Sequence, residues 1–123
     1  MNVAAVFAGL KASVEANGYT VTNSPALMPG QCMIYQTGVE VGYEENASRH
    51  TGEFSIIMCD ALKPNQRLTS ESAAATRVEV LLNALKDVFT SFAIILEITG
   101  ARTELTEEDH RITTVTLTAL YAV

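Results

Sequence analysis

RITTVTLTALYAV, residues 111–123, decides the fold. Thr113, Val115, Leu117, Ala119, Tyr121 and Val123 fall on one face of this stretch; Ile112, Thr114, Thr116, Thr118 and Leu120 fall on the other. Alternation of period two over such a length marks a strand, because successive side chains of extended backbone point to opposite sides. The strand is expected to be central, with Tyr121 and Val123 packed and little room for a tail beyond them.

Reading backward, the acidic connector Glu104 to Asp109 joins this strand to an apolar one, Ala93 to Thr99, and the two make a hairpin. Ahead of them the pattern turns helical. Thr69 or Ser70 serves as a cap, and the stripe Ala74, Val78, Leu81, Leu82, Leu85, Val88, Phe89 and Phe92 recurs at helical spacing from Ser70 to Ser91. A helix of that length is ~30 Å long, enough to cross a sheet. Lys63-Pro64-Asn65 is a turn.

The first half repeats the scheme. Asn2 caps a short amphipathic helix carrying Val3, Val6, Phe7, Leu10 and Val14, and Asn17-Gly18 supplies a left-handed stop. Tyr19 to Thr22 is expected to form a brief edge strand, and Pro25 through Pro29-Gly30 a loop. Gln31 to Glu45 alternates as a strand, with Met33, Tyr35, Val39, Val41 and Tyr43 on one face and Ile34, Gln36, Glu40 and Glu44 on the other. Gly38 and Gly42 interrupt the second face and point to a bulge or a close backbone approach. Glu45 to Gly52 reads as a polar loop. Glu53 to Asp60 reads as the partner strand, with Phe54, Ile56 and Met58 opposite Ser55, Ile57 and Cys59. Helix, strand pair, helix, strand pair predicts an α+β fold: a mixed, mostly antiparallel β-sheet of four to five strands with two helices packed on one face. A doubly wound parallel sheet is disfavoured, since it needs a helix between most successive strands.

The chain has 123 residues, 48% apolar and 18% charged, which suits one globular domain over 1–123. A net charge of −6 argues against binding nucleic acid by neutralising phosphates, and an acidic surface suits a protein that lets DNA pass without sticking. Cys32 and Cys59 are expected as free, buried thiols. The N-terminal segment lacks a basic n-region and is interrupted by Lys11 and Glu15, so neither signal peptide nor membrane span is expected, and the protein is placed in the cytoplasm.

No catalytic residue, cofactor or metal is assigned. His50 and His110 lie in polar loops or at strand edges, and neither sits in a motif that implies the orienting partner and reacting group a general base needs. His50 has Glu44, Glu45 and Glu53 nearby in sequence, but without the spacing of a zinc or calcium site. The flanks of Cys32 and Cys59 carry no nucleophile signature, and no phosphate-binding glycine motif is present. A pocket drawing on Tyr35, Gln36, Cys59 and His50 is the competing reading, a small ligand-binding domain or enzyme. The segments that stand out instead are candidate subunit or partner contacts. These are Glu44, Glu45, Arg49 and His50 in the first hairpin, Lys63 and Arg67 before the second helix, and Glu107, Glu108 and Asp109 in the last connector.

This element order resembles the tail-terminator family of tailed bacteriophages, also described as minor tail or tail-completion proteins. The features that carry the resemblance are the short first helix, the Pro/Gly loop, the polar-tipped hairpin, the long helix, and Gly100-Ala101-Arg102 followed by the alternating strand Arg111 to Tyr121. The resemblance implies a structural virion protein, not an enzyme, assembled in the host cytoplasm into a homo-oligomeric, hexameric ring. Such a ring ends the tail tube and joins it to the head–neck. Its partners would be further copies of itself, the tail tube protein and a head–neck connector protein, with DNA passing through unbound and no membrane involved. A head–tail joining protein of the neck shares the pattern, and an adaptor in a non-phage secretion machine shares the tail-like physics.

Overall fold

The computed structural model describes residues 3–24, 26–44, 47–62, 72, 75–76, 79–81, 83 and 95–122. They form α1 (Val3–Ala16), β1 (Thr20–Val21), β2 (Gln31–Glu44), β3 (Ala47–Ala61), β4 (Ile95–Leu105) and β5 (His110–Ala122). The described residues within 72–83 are helical. One five-stranded sheet in the order β1-β2-β3-β5-β4 results, parallel only between β1 and β2. The α+β architecture expected from the element order is the one observed.

α1 ends where its sequence dictates; its expected cap, Asn2, lies outside the described residues. Gly18 has φ 89°, and the amides of Gly18 and Tyr19 donate to the carbonyls of Glu15 (3.1 Å) and Val14 (3.1 Å). This pair of bonds is the glycine-centred helix stop that satisfies the last free carbonyls. Val6, Leu10 and Val14 are fully buried on one side of α1, and Phe7 meets Phe54 edge-on with ring centroids 5.3 Å apart. Leu81 of the second helical segment joins the same core as Cys32, Phe54, Ile56, Met58, Val115, Leu117 and Ala119. Both helices therefore cover one sheet face. Of the long helix's expected stripe only Leu81 is described in its side chain; Ala74, Val78, Leu82, Leu85, Val88, Phe89 and Phe92 lie outside the described residues, as does Val123.

Three expectations are corrected by the sheet. The first hairpin has no long polar loop: pairing runs to Glu44↔Ala47, so the segment read as a polar loop from Glu45 to Gly52 is mostly the start of β3. Those polar residues are held by a long-range ladder, Arg49↔Ala122 through Gly52↔Ala119, that local composition does not report. Second, β2 does not keep one face. The register shifts between Gln36 and Gly38, so Met33 and Tyr35 lie on the face away from the helices while Val39 and Val41 lie on the helix side. A bulge adds one residue and inverts the alternation beyond it. Third, β4 does not stop at Thr99; it continues through a second shift, between Ile98 and Gly100, to Leu105.

Candidate functional site

The last connector is tighter than its acidity suggests. Asp109 N–H donates to the Thr106 carbonyl (3.2 Å), Thr106 N–H donates to the His110 carbonyl (2.9 Å), and Asp109 itself has φ 56°. A β-turn followed by a left-handed residue is a common hairpin connection, and aspartate tolerates that conformation better than most residues. The carbonyl of Asp109 also accepts from Leu62 N–H at 2.8 Å, tying the tip to the chain leaving β3. Asp109 thus shapes the turn. Glu107 and Glu108 are exposed on it, with Glu108 Oε2 3.8 Å from His110 Nδ1.

The sheet places the candidate contact residues at two ends. Ala47 begins β3 at the first hairpin's tip, and Ala61 ends it opposite His110, beside the second tip. β3 is 15 residues long, so the tips are roughly 45 Å apart at ~3.3 Å per residue. Glu44, Arg49 and His50 belong to one end; Glu107, Glu108 and Asp109 to the other. Arg49 and His50 are strand residues, paired with Gly42 and Val41, and not loop residues as expected. Glu45, Lys63 and Arg67 lie outside the described residues.

The pocket reading does not gain a convergent set. Gln36 and His50 sit on the helix side of the sheet, whereas Tyr35 and Cys59 sit on the opposite side. Glu53 likewise faces away from His50, since three residues of strand separate them. Cys32 and Cys59 are free and fully buried, on opposite faces, which excludes a bond between them without rearrangement. Burial pushes the Cys32 thiol up to about 12. The Cys59 thiol is raised by burial first and by Asp60 and Glu108 second. Neither has the thiolate character of a nucleophile. Among the described residues no group of three His, Cys, Asp or Glu is placed to hold a metal.

Sequence reading missed two hollows beside the bulges. One, of about 170 Å³, is lined by Gly38, Val39, Glu40, Thr51 and Glu53. The other, of about 320 Å³, is lined by Gly100, Ala101, Arg102, Thr114 and Thr116. A Cβ on Gly38 would come within 3.3 Å of the Glu53 carboxylate, and one on Gly100 within 3.2 Å of the Thr116 hydroxyl. The shared signal was Thr-Gly inside each strand, at Thr37-Gly38 and Thr99-Gly100. The face bearing these glycines, away from the helices, presents exposed Glu40, Glu53, Glu97 and Glu104, and Arg102 with its guanidinium 2.6 Å from Glu104.

No protein-family model matches the sequence, and no curated protein sequence matches it. Among solved structures, a chain of the virion of a native gene transfer agent particle shares the fold with a TM-score of 0.52 at 14% identity, over 98% of this chain and 93% of that one. The type 4 fimbrial biogenesis protein PilO from Pseudomonas aeruginosa aligns with a TM-score of 0.46 at 4% identity, over all of this chain and 72% of that one. The chain is similar in fold to a virion component across nearly its whole length.

Proposed function

We propose that the chain is a structural subunit of a tailed-phage-like virion. In this reading it forms a ring, hexameric in its simplest form, that ends the tail tube and joins it to the head–neck. The observation that carries this reading is the end-to-end likeness to a chain of a gene transfer agent virion. It is supported by the sheet's polarity. A cyclic assembly needs two different patches on each subunit, meeting head to tail, and the two sheet ends and two sheet edges of this chain differ from one another. The face away from the helices, with Glu40, Glu53, Glu97 and Glu104, suits a channel wall that repels DNA phosphates. The further partners in this reading are the tail tube protein and a head–neck connector protein.

Electron microscopy of intact particles labelled with antibody against the chain tests it. Label confined to the head–tail junction is the expected result. Label along the tube or on the head, or particles without label, contradicts it. A position on the neck side of the junction would make the chain a head–tail joining protein.

A further inference from the structure

The sheet has two long edges whose backbone has no partner strand among the described residues. β1 covers β2 only at Gln31 and Cys32, so Met33 to Glu44 is open on its outer side. The outer side of β4, Ile95–Leu105, has no partner strand among the described residues along its whole length. Natural proteins guard such edges with charged side chains, proline or bulges; β2 and β4 carry neither lysine nor proline, and the charges at Glu40, Glu97, Arg102 and Glu104 lie together on the sheet face away from the helices. Apolar side chains are exposed there instead: Tyr35 (39%), Val39 (55%) and Val41 (43%) on β2, and Leu105 (46%) on β4. Outside these strands the described large apolar residues that are exposed are only Met28 and Val80.

We propose that the partner for these edges is a second copy of the chain: β4 of one copy pairs antiparallel with β2 of the next, so that the sheets run on continuously from subunit to subunit. The inference rests on the ring reading above and names its interface. Strand directions alternate along β2, β3, β5 and β4, so β4 runs opposite to β2. A neighbour placed in the same orientation therefore presents its β2 antiparallel to β4, the more stable ladder. Two different edges make a heterologous contact, which can close into a ring.

Complementary edge-blocked variants test the pairing. Val39→Lys with Val41→Lys charges β2; Ala101→Lys with Thr103→Lys charges β4; all four positions are exposed. In native mass spectrometry each variant alone is expected to lose the wild-type assembly and appear as a monomer. A one-to-one mixture is expected to form a heterodimer of two 13.2 kDa subunits and nothing larger, joined by the two intact edges. Wild-type-sized assemblies from either variant overturn the proposal. So does a homodimer of one variant, which would mean like edges pairing about a two-fold axis, or a mixture that stays monomeric while both variants melt cooperatively. Glutamate at the same positions provides a second pair should a lysine variant fail to fold. Rings that survive both edge blocks would overturn the edge pairing and leave the virion reading standing. Edge-dependent assembly of a chain that antibodies do not find in particles would do the reverse.

Discussion

Asp109 and the two cysteines show how single residues are used here. Asp109 holds the left-handed position of the last turn, so its acidity is secondary to its backbone. Asp109→Gly is expected to be close to neutral. Asp109→Val, a β-branched residue forced to positive φ, is expected to cost about 1–2 kcal/mol in thermal or urea unfolding. Equal effects of the two variants would contradict the assignment. The cysteines set an alkaline limit. A thiol whose folded pKa is raised keeps its proton longer in the native state than in the unfolded chain. The native state then binds more protons, and stability falls as pH rises. For Cys32 the window opens near the ordinary value of 9.0 and extends to about 12, with a slope of about 1.4 kcal/mol per pH unit. Cys32→Ala or Cys32→Val should flatten that slope in pH-dependent denaturation. At neutral pH both thiols are expected to resist alkylation until the protein unfolds.

At the scale of elements, the strand quoted first behaves as its alternation predicts over Thr113 to Ala119. Thr113, Val115, Leu117 and Ala119 are buried, and β5 sits between β3 and β4. Ending the chain after Ala119 removes the pairing of Leu120, Tyr121 and Ala122 with Thr51, His50 and Arg49. Such a truncation is expected to lower the melting temperature by several degrees and to free Arg49 to Thr51, near the first hairpin's tip, in hydrogen exchange. Amphipathic α1 and its Gly18 stop were equally legible, because both depend on local chemistry. The start of β3 and the end of β4 were not. Arg49 to Gly52 is strand because β2 and β5 lie on either side of it, and polar composition hides that. The swap of faces in β2 turns on one inserted residue, Thr37, which Gly38 hinted at without fixing its consequence. The acidic connector was found as a contact candidate from its composition, but its separation from the first hairpin's tip by the length of β3 required the strand order. Glu107→Gln with Glu108→Gln, both exposed, is expected to change stability by less than about 0.5 kcal/mol. If the tip meets a neighbour, the same change alters how assembly depends on salt, a dependence that ultracentrifugation across ionic strength reads directly.

For the whole molecule, one covered sheet face and, among the described residues, two edges without a partner strand give a chain that is finished in its core and open at its margins. The helices and the inner residues of β3 and β5 bury a contiguous apolar cluster, enough to fix the fold of one chain. The exposed valines of β2, the bulge hollows and the acidic face contribute nothing to that core, and the proposed ring would give them a use. The central claim is that this chain is a ring subunit, and native mass spectrometry of the purified, unmodified protein tests it most directly. A closed assembly of one size, six subunits of 13.2 kDa, is the result the account predicts. A monomer at every concentration, or a dimer that grows no further, would contradict it.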